Sequence, residues 1–442
     1  MIDSEPRGFS GRDIPPDDVF NQCVRCGLCL PTCPTYVETL VETSGPRGRI
    51  ALIKAVAEER LDLTSPGFMH QMSECLDCRA CEAVCPSGVA YGQLLEPSRT
   101  QIVRATAGTR PPADRLARAV LLGWLFSRLA NLRLFATVLR WYQRSGLQDA
   151  VRKSGILRAL KLAEAEALAP RISDRFFVPH DQVYPARGAT KATVVMHAGC
   201  VMHVAFAPTD EATVRVLQRA GCDVLAPSGQ GCCGAITIHA GDLDRGRALA
   251  KANIVAFERS GADYYVINAA GCGSALKEYG HLFVDDAAWH ERAVAFSSRV
   301  RDITELLDAI GLGPGLGALP YTITYQDACH LAHAQRITAP PRRLLAQIPG
   351  LTVREMNESA LCCGSAGIYN LTQPEMAGRL GARKAERIME VAPDLVITAN
   401  PGCAIQMAAA LRASGSSAGV RHIVDLIDES YAAADAAPDA AS

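Results

Sequence analysis

The sequence predicts a mixed α/β protein, in which a helical N-terminal domain precedes two tandem α/β repeats. Three observations lead to this prediction: a cysteine run that occurs twice near the N-terminus, a second group of cysteines that recurs at a nearly constant offset, and β-rich runs that alternate with helical patterns in the second half. The chain has 442 residues. That length is enough for about three domains, because a typical domain has roughly 150 residues.

Two cysteine runs of identical spacing define the N-terminal domain. They are Cys23, Cys26, Cys29 and Cys33 before Pro34, and Cys75, Cys78, Cys81 and Cys85 before Pro86. Each reads C-x2-C-x2-C-x3-C-P, the spacing of bacterial two-cluster ferredoxins. Three thiolates, each separated from the next by two intervening residues, wrap a loop around one iron-sulfur cubane. The fourth thiolate, held at a turn by the proline, ligates the cluster of the other run.

The spacing therefore predicts two [4Fe-4S] clusters with exchanged fourth ligands. The predicted ligand sets are Cys23, Cys26, Cys29 and Cys85 for the first cluster and Cys75, Cys78, Cys81 and Cys33 for the second. We expect this ferredoxin-like domain to span residues 1–105. Electron transfer is the function that such a domain favours.

Structural zinc is the alternative metal, since C-x2-C pairs are also zinc signatures. A tetrahedral zinc site needs only two such pairs, so the longer repeated run favours iron. A disulfide framework is disfavoured because residues 1–20 are polar and acidic and lack the apolar segment of a secretory signal. We therefore expect a cytoplasmic protein with reduced thiols.

The charge balance disfavours nucleic acid as a partner. The chain has 45 Lys and Arg against 46 Asp and Glu, a formal net charge of −1. Nucleic-acid-binding domains carry a basic excess that attracts phosphate, and this chain has none overall.

A second group of cysteines repeats along the C-terminal half, each copy containing a Cys-Cys-Gly (CCG) triplet. The equivalent cysteines are Cys200, Cys232, Cys233 and Cys272 in the first copy and Cys329, Cys362, Cys363 and Cys403 in the second. Their offsets are 129, 130 and 131 residues, so the copies are one supersecondary unit with hardly any insertion. We expect a helical connector over 106–190, CCG repeats over 191–313 and 314–431, and a disordered tail over 432–442.

Strands and helices are predicted to alternate within each repeat. The predicted strands cover 192–198, 264–268, 321–325 and 395–398, and the predicted helices cover 209–220, 243–259, 340–347 and 374–391. Because parallel α/β sheets gather ligands at the C-terminal ends of their strands, the repeat cysteines should converge there. They can hold further metal sites or act as redox-active thiols, whereas Cys222, which has no counterpart, is interpreted as structural. His330 and His333 are candidate proton donors or ligands.

The most apolar stretch covers residues 119–138. Arg128 and Arg133 interrupt it before the roughly 20 apolar residues that a spanning helix needs. An amphipathic helix packed between domains is the favoured interpretation. A segment lying on a membrane surface or against a partner subunit is the alternative, because tryptophans alternate with arginines.

Several strings around these cysteines resemble the iron-sulfur subunit of bacterial glycolate oxidase. They are CVRCGLCLPTCPTY at 23–36, GPRGRI at 45–50, CLDCRAC at 75–81, GCCGA at 231–235, KEYG at 277–280, HAQ at 333–335, CCGSAG at 362–367 and TAN at 398–400. The resemblance runs from about residue 19 to about residue 428. It implies a cytoplasmic complex, with peripheral contact at the inner face of the cell membrane as an open option.

In such a complex, the resemblance implies, a separate FAD-containing subunit oxidises glycolate to glyoxylate, and this chain passes the electrons to a quinone or another acceptor. The sequence is consistent with that division of labour, because the glycines at 311–317 lack the strand-to-helix context of a dinucleotide site. Oxidation of D-lactate or glycerol-3-phosphate is a rival function, since the flavin subunit would choose the substrate. A thiol or disulfide reductase that uses the CCG cysteines directly is a second rival.

The CCG repeats also resemble, more distantly, those of heterodisulfide reductase subunits, which hold noncubane clusters with five cysteines in each motif. The fifth cysteine is missing from both copies here, because residues 273–275 read GSA and residues 404–406 read AIQ. A noncubane cluster is therefore not expected. Within the N-terminal runs, Arg25 and Arg79 are expected to raise the cluster potentials, unless they are only solvated surface charges.

Overall fold

The computed structural model describes residues 7–160 and 162–436. The N-terminal domain contains only helices within residues 7–105. They are α1 Asp17–Asn21, α2 Pro34–Thr39, a 3-10 turn at Glu42–Ser44, α3 Pro46–Ala57, α4 Pro66–Glu74, α5 Ala80–Ala83 and α6 Gly92–Ala105. Proline opens α2, α3 and α4, since the first helical residue needs no backbone N–H. Ile53, Val56, Phe68, Met72 and Leu94 form a core that holds the cysteine loops.

The connector is helical over most of its length. Its elements are α7 Pro112–Arg118, a π-helical turn at Ala119–Leu125, α8 Leu129–Arg144, α9 Leu147–Ser154, α10 Ile156–Ala159 and α11 Ala163–Ala167. Leu125, Leu132 and Ala136 pack into the core of the first repeat. No single helix in the described ranges is long and apolar enough to cross a membrane; residues 112–125 and 129–144 pass that test only as a pair bent by 109°.

The first repeat is an α/β unit with a five-stranded sheet. Its strands are β1 Gln182–Tyr184, β2 Ala192–Met196, β3 Cys222–Ala226, β4 Tyr264–Ile267 and β5 Val300–Asp302, in the order β1-β3-β2-β4-β5. Its helices are α12 Met202–Ala205, α13 Ala207–Arg219, α14 Ala235–His239, α15 Leu243–Ser260, α16 Ala270–Lys277, α17 Tyr279–Leu282, α18 Ala287–Arg299 and α19 Ile303–Ile310. All strands are parallel except β1, which pairs antiparallel with β3. The sheet thus begins inside the segment expected to be connector.

The second repeat has a four-stranded parallel sheet. Its strands are β6 Thr322–Tyr325, β7 Thr352–Val353, β8 Leu395–Thr398 and β9 Gly419–His422, in the order β7-β6-β8-β9. Its helical elements are a π-helical turn at His330–Ala334, α20 Ala339–Leu345, α21 Tyr369–Thr372, α22 Pro374–Val391, α23 Pro401–Ala413 and α24 Ile423–Ala436. Helix α24 includes residues 432–436 of the expected tail, and residues 437–442 lie outside the described part of the chain.

The two sheets have the same pairing register. Val194 of β2 lies opposite Tyr264 of β4, and the equivalent Ile323 of β6 lies opposite Leu395 of β8. The repeats also exchange helical contacts, because α13 packs on α24 and α19 packs on α20, and one apolar core runs through both. The mixed α/β fold predicted from the sequence is therefore confirmed, and all four predicted strands are present.

The N-terminal domain rests on both repeats. The Tyr369 hydroxyl donates to the Glu74 carbonyl oxygen at 2.8 Å, and Arg99 donates to the His239 carbonyl oxygen at 3.0 Å. His330 Nε2 lies 2.7 Å from the Asp77 carbonyl oxygen. These contacts fix the second cysteine loop against the C-terminal half.

Candidate iron-sulfur site

Two neighbouring cavities open between the N-terminal helices, and each is lined by cysteines from both runs. The first cavity is lined by Cys23, Cys26, Cys29, Cys81 and Cys85, and the second by Cys33, Cys75, Cys78 and Cys81. Pro46 and Tyr91 line both cavities and form their common wall. Cys85 thus lies with the first run and Cys33 with the second, so the two runs interlock in space.

The two cysteine loops share one backbone conformation. The second residue after the first cysteine has a left-handed φ in both loops, 57° at Arg25 and 55° at Asp77. The fourth residue does as well, with 82° at Gly27 and 60° at Arg79. Backbone that alternates in this way forms concave groups of N–H donors, which favour an anion such as a thiolate-bound cluster. Consistent with this, the Asp77 N–H lies 3.4 Å from the Cys75 Sγ.

The cavities differ in exposure. Cys26 is exposed, and the apolar side chains of Val24 and Leu28 beside it are 68% and 58% exposed. Cys75 and Cys78 in the second cavity are buried. The first cavity therefore faces the surface, and the second lies inside the molecule.

One arginine of helix α3 lines each cavity. Arg47 lies at the first cavity and donates to the Arg25 carbonyl oxygen at 3.0 Å. Arg49 lies at the second cavity, is buried, and donates to Glu74 at 3.0 Å and to the Gln71 carbonyl oxygen at 2.9 Å. Neither arginine was predicted to line a cavity, although both lie in the GPRGRI string at residues 45–50.

Arg79 was expected either to raise the potential of a cluster or to be a solvated surface charge, but it is buried in a cage of carboxylates. Its guanidinium is 3% exposed. The partners are Asp77 at 2.8 Å, Glu82 at 2.9 Å, and Glu96 and Glu278, both at 3.3 Å. Because Glu278 belongs to the first repeat and the others to the N-terminal domain, the cage joins two domains. Its acidic partners offset the charge of Arg79.

His239 completes this cage from helix α14. Its Nδ1 lies 3.0 Å from Asp77 Oδ2 and 3.1 Å from Glu96 Oε1. Burial disfavours the charged imidazolium, but the two carboxylates outweigh burial and raise the pKa of His239 to about 9. His239 is therefore positively charged at neutral pH and adds a second cation to the cage.

The four CCG thiols of the first repeat converge at the C-terminal ends of its strands, as the parallel sheet predicted. Their thiols contact one another in the order Cys200, Cys232, Cys233 and Cys272. A hydrogen bond from Cys233, assisted by His197, outweighs burial and lowers the pKa of Cys272 to about 6. His197 Nδ1 lies 2.7 Å from the Tyr265 hydroxyl oxygen. The pKa of Cys232 is also lowered, whereas hydrogen bonds with neighbouring thiols raise the pKa values of Cys200 and Cys233, so thiolate is favoured at alternate cysteines of the series.

The second repeat builds the same chain of thiols. The Cys329 Sγ lies 3.9 Å from the Cys362 Sγ, and Cys363 and Cys403 continue the series. Hydrogen bonds from its neighbours hold the pKa of Cys363 well below the usual range. Gly364 has a φ of 90°, and a Cβ there would lie 2.8 Å from the Ala377 carbonyl oxygen, so the CCG triplet requires glycine.

The second cavity adjoins the thiols of the second repeat. Cys78, Cys362 and Tyr369 belong to one small apolar cluster, and Cys329 packs against it. The second cysteine loop of the N-terminal domain and the CCG triplet of the second repeat therefore pack together, a relationship that spacing in the sequence could not reveal.

The remaining candidates have structural partners. Cys222 is fully buried on β3, and His333 Nε2 lies 3.0 Å from the Ala360 carbonyl oxygen. His330 lies against the Asp77 carbonyl oxygen, as described above, and burial lowers its pKa to about 4, so its ring is neutral. His330 therefore serves the contact between domains.

Three family models match the chain. The "4Fe-4S dicluster domain" matches residues 19–89, the "Glycolate oxidase iron-sulfur subunit, linker region" matches 113–169, and the "Cysteine-rich domain" matches twice, at 194–277 and 323–408. The dicluster match covers both cysteine runs, and the cysteine-rich matches begin and end inside the two repeats. Iron-sulfur clusters are thus the cofactors that these matches support.

Similar proteins cover nearly the whole chain. The probable glycolate oxidase iron-sulfur subunit of Bacillus subtilis is 42% identical over 92% of this chain and 93% of its own length. The glycolate oxidase iron-sulfur subunit of Escherichia coli is 32% identical over 95% of this chain and 96% of its own length. A lactate utilization protein A of an Exiguobacterium species is 28% identical over 53% of this chain. The chain therefore belongs to the family of glycolate oxidase iron-sulfur subunits.

Proposed function

We propose that this chain carries electrons within a flavin-dependent 2-hydroxyacid oxidoreductase whose substrate is glycolate, oxidised to glyoxylate on a separate FAD-containing subunit. The observation that carries the proposal is the pair of interlocked cysteine-lined cavities, one facing the surface and one buried against a further set of thiols. Similarity to glycolate oxidase iron-sulfur subunits over more than nine tenths of the chain supports the choice of substrate.

The ligand assignment follows the lining of the cavities. Cys23, Cys26, Cys29 and Cys85 would hold the first [4Fe-4S] cluster, and Cys75, Cys78, Cys81 and Cys33 would hold the second. Cys81 lines both cavities, and the repeated spacing places it with the second run. Bound there, the clusters would supply one-electron storage. The protein itself supplies soft thiolate ligands, inward-facing backbone donors and an arginine at each cavity.

The cavities suggest a direction for electron entry. The first cavity presents the exposed Cys26 to a partner, whereas the second is enclosed by the N-terminal domain and the second repeat. We place the flavin subunit at the first cavity. Electrons would then move inward, toward the thiols of the second repeat.

The CCG thiols would form two further redox sites, one on Cys200, Cys232, Cys233 and Cys272 and one on Cys329, Cys362, Cys363 and Cys403. Support comes from the shared order of thiol contacts and from the lowered thiol pKa of Cys232 and Cys272 in the first repeat and of Cys363 in the second. From these sites the electrons would pass to a quinone or another acceptor, with the complex working on the cytoplasmic side of the cell membrane, at its inner face.

Direct reduction by the thiols is the second candidate function. The 3.9 Å distance between Cys329 Sγ and Cys362 Sγ favours it, because a modest movement would form a disulfide. In that case the chain alone, given an artificial reductant, would turn over a disulfide substrate.

The test uses the chain with its flavin subunits, prepared without oxygen. Glycolate, D-lactate and glycerol-3-phosphate are added to separate samples. Reduction of the iron-sulfur clusters is followed in each sample by electron paramagnetic resonance. Glycolate should reduce the clusters fastest. Faster reduction by either rival would reassign the substrate, and reduction by none would remove the proposed role.

A further inference from the structure

The outer face of the connector is an exposed apolar surface. Helix α8 turns Leu134, Val138 and Trp141 outward on successive turns, and these side chains are 59%, 59% and 62% exposed. Phe135 lies beside them, and Trp124 of the preceding π-helical turn is also exposed. Contiguous exposed apolar side chains of this size mark an interaction site rather than ordinary protein surface.

The opposite face of the same helix is already used. Leu132 and Ala136 are buried in the core of the first repeat together with Leu125. The expectation of a helix packed against other domains therefore holds for one face only. Packing within the described chain leaves the outer face uncovered.

The same segment is strongly basic, although the protein as a whole is not. Residues 110–158 contain ten Lys and Arg but only two Asp and Glu, in a chain whose net charge is −1. Arg115, Arg128, Lys153 and Arg158 are exposed, and none of them pairs with a carboxylate anywhere in residues 7–160 or 162–436. These cations are free to meet an anionic partner.

Apolar and basic side chains are combined here in a way that suits lipid. Tryptophan, phenylalanine and leucine on one helix face with arginine around them are typical of helices that lie in the membrane interface. Protein interfaces are also enriched in tryptophan, phenylalanine and arginine, so what favours lipid here is the excess of ten Lys and Arg over two Asp and Glu, which suits an anionic surface. The 109° bend between residues 112–125 and 129–144 suits a segment lying along a surface.

We propose that the outer face of α7, the π-helical turn and α8 docks on a membrane surface that contains anionic lipid. The apolar side chains would enter the boundary between headgroups and acyl chains, and the unpaired arginines would contact lipid phosphates. This names the surface by which the chain reaches the membrane in the proposed function. The binding itself does not require that function.

The test is flotation of the purified full chain, prepared without oxygen, with two kinds of vesicle. One is phosphatidylcholine alone, and the other is phosphatidylcholine mixed with phosphatidylglycerol. The chain should float with the mixed vesicles and bind them less as salt rises, because surface charges are screened. Binding that ignores both lipid charge and salt would contradict the arginine contribution.

Variants distinguish binding through this surface from nonspecific adsorption to vesicles. The triple variant Leu134→Ser, Val138→Ser, Trp141→Ser should bind vesicles at least tenfold more weakly. Arg115→Gln with Arg128→Gln removes two exposed cations of α7 and of the turn before α8 and should weaken binding to the mixed vesicles. Val284→Ser removes an equally exposed apolar side chain of the first repeat and should bind as the unaltered chain does. Iron content and glycolate-dependent reduction in the complex should be unchanged in every variant.

Two outcomes would overturn the proposal. The first is absence of vesicle binding by the unaltered chain, or equal binding by the triple variant. The second is loss of the flavin subunits from the triple variant, which would assign the face to a protein partner. Failure of glycolate to reduce the clusters would count against the proposed function alone, since flotation measures only lipid binding.

Discussion

Arg47 and Arg49 stand two residues apart in the first turn of helix α3 and line different cysteine cavities. Gly48 between them lets helix α3 pack against the 3-10 turn at Glu42–Ser44, because a Cβ there would lie 2.1 Å from the Glu42 carbonyl oxygen. One short helical turn thus delivers one cation to each predicted cluster. A cation beside an anionic cluster favours the reduced form, because reduction adds negative charge.

Removal of the buried cation should shift one potential selectively. We expect Arg49→Gln to lower the potential of the second cluster on the order of 100 mV, since a unit charge about 6 Å away at an effective dielectric constant of about 20 is worth roughly 3 kcal/mol. Arg49→Lys keeps the charge and should shift it less. Redox titration followed by electron paramagnetic resonance measures both values.

Neutralising Glu74 should shift the same potential in the opposite direction. Glu74→Gln removes the negative charge that lies 3.0 Å from Arg49 and should raise the potential of the second cluster. A shift in the same direction for Arg49→Gln and Glu74→Gln would show that packing, rather than charge, sets this potential.

The exchange of the fourth ligands can be tested cysteine by cysteine. Cys85→Ser should perturb the first cluster although Cys85 lies in the second run, and Cys33→Ser should perturb the second cluster. Each variant is compared with Cys222→Ser, which alters a buried thiol outside both cavities. If Cys85→Ser changed only the spectrum of the second cluster, the ligand assignment would be wrong.

Because of the carboxylate cage, the free energy of unfolding should fall as the pH becomes alkaline. His239 has a pKa of about 6.5 when unfolded and about 9 when folded, so its contribution is complete below pH 6.5 and is lost as the pH rises through 9. The shift corresponds to about 3 kcal/mol. Urea unfolding between pH 6 and pH 10 should show this loss, and His239→Gln should flatten the profile.

Arg79 should affect the docking of the N-terminal domain on the first repeat more than the potential of the second cluster. We expect Arg79→Gln to destabilise the contact between the N-terminal domain and the first repeat by about 3 to 5 kcal/mol, because four carboxylates would lose their buried partner. Limited proteolysis between the domains would report the loss. A large potential shift without any loss of stability would contradict the compensated charge that the cage implies.

The sequence predicted what local spacing determines. Spacing along the chain limits how the cysteines can be arranged in space. This holds for the two N-terminal runs, Cys23 to Cys33 and Cys75 to Cys85, and for the CCG cysteines with their nearly constant offset. Strands β2, β4, β6 and β8 were predictable because each is a short apolar run before a cysteine. Strands such as β7, with two residues, carry too little pattern to be seen.

What the sequence concealed depends on contacts between distant segments. Asp77 and Glu82 are near Arg79 in the sequence, but the closed cage was not predicted, because Glu278 lies 199 residues away and gives no local signal. The apolar cluster that contains both Cys78 and Cys362 depends on how two domains dock. For α8 the sequence left a packed helix and a surface-bound segment as alternatives, because periodicity shows that a face is apolar but not whether anything covers it.

The central claim is that eight cysteines of the N-terminal domain hold two [4Fe-4S] clusters. Iron and acid-labile sulfide, measured on the chain purified without oxygen, test it most directly. The account predicts about eight iron and about eight sulfide from these two sites, with any CCG clusters adding to that number. Stoichiometric zinc without sulfide, in protein that still supports glycolate oxidation in its complex, would contradict it.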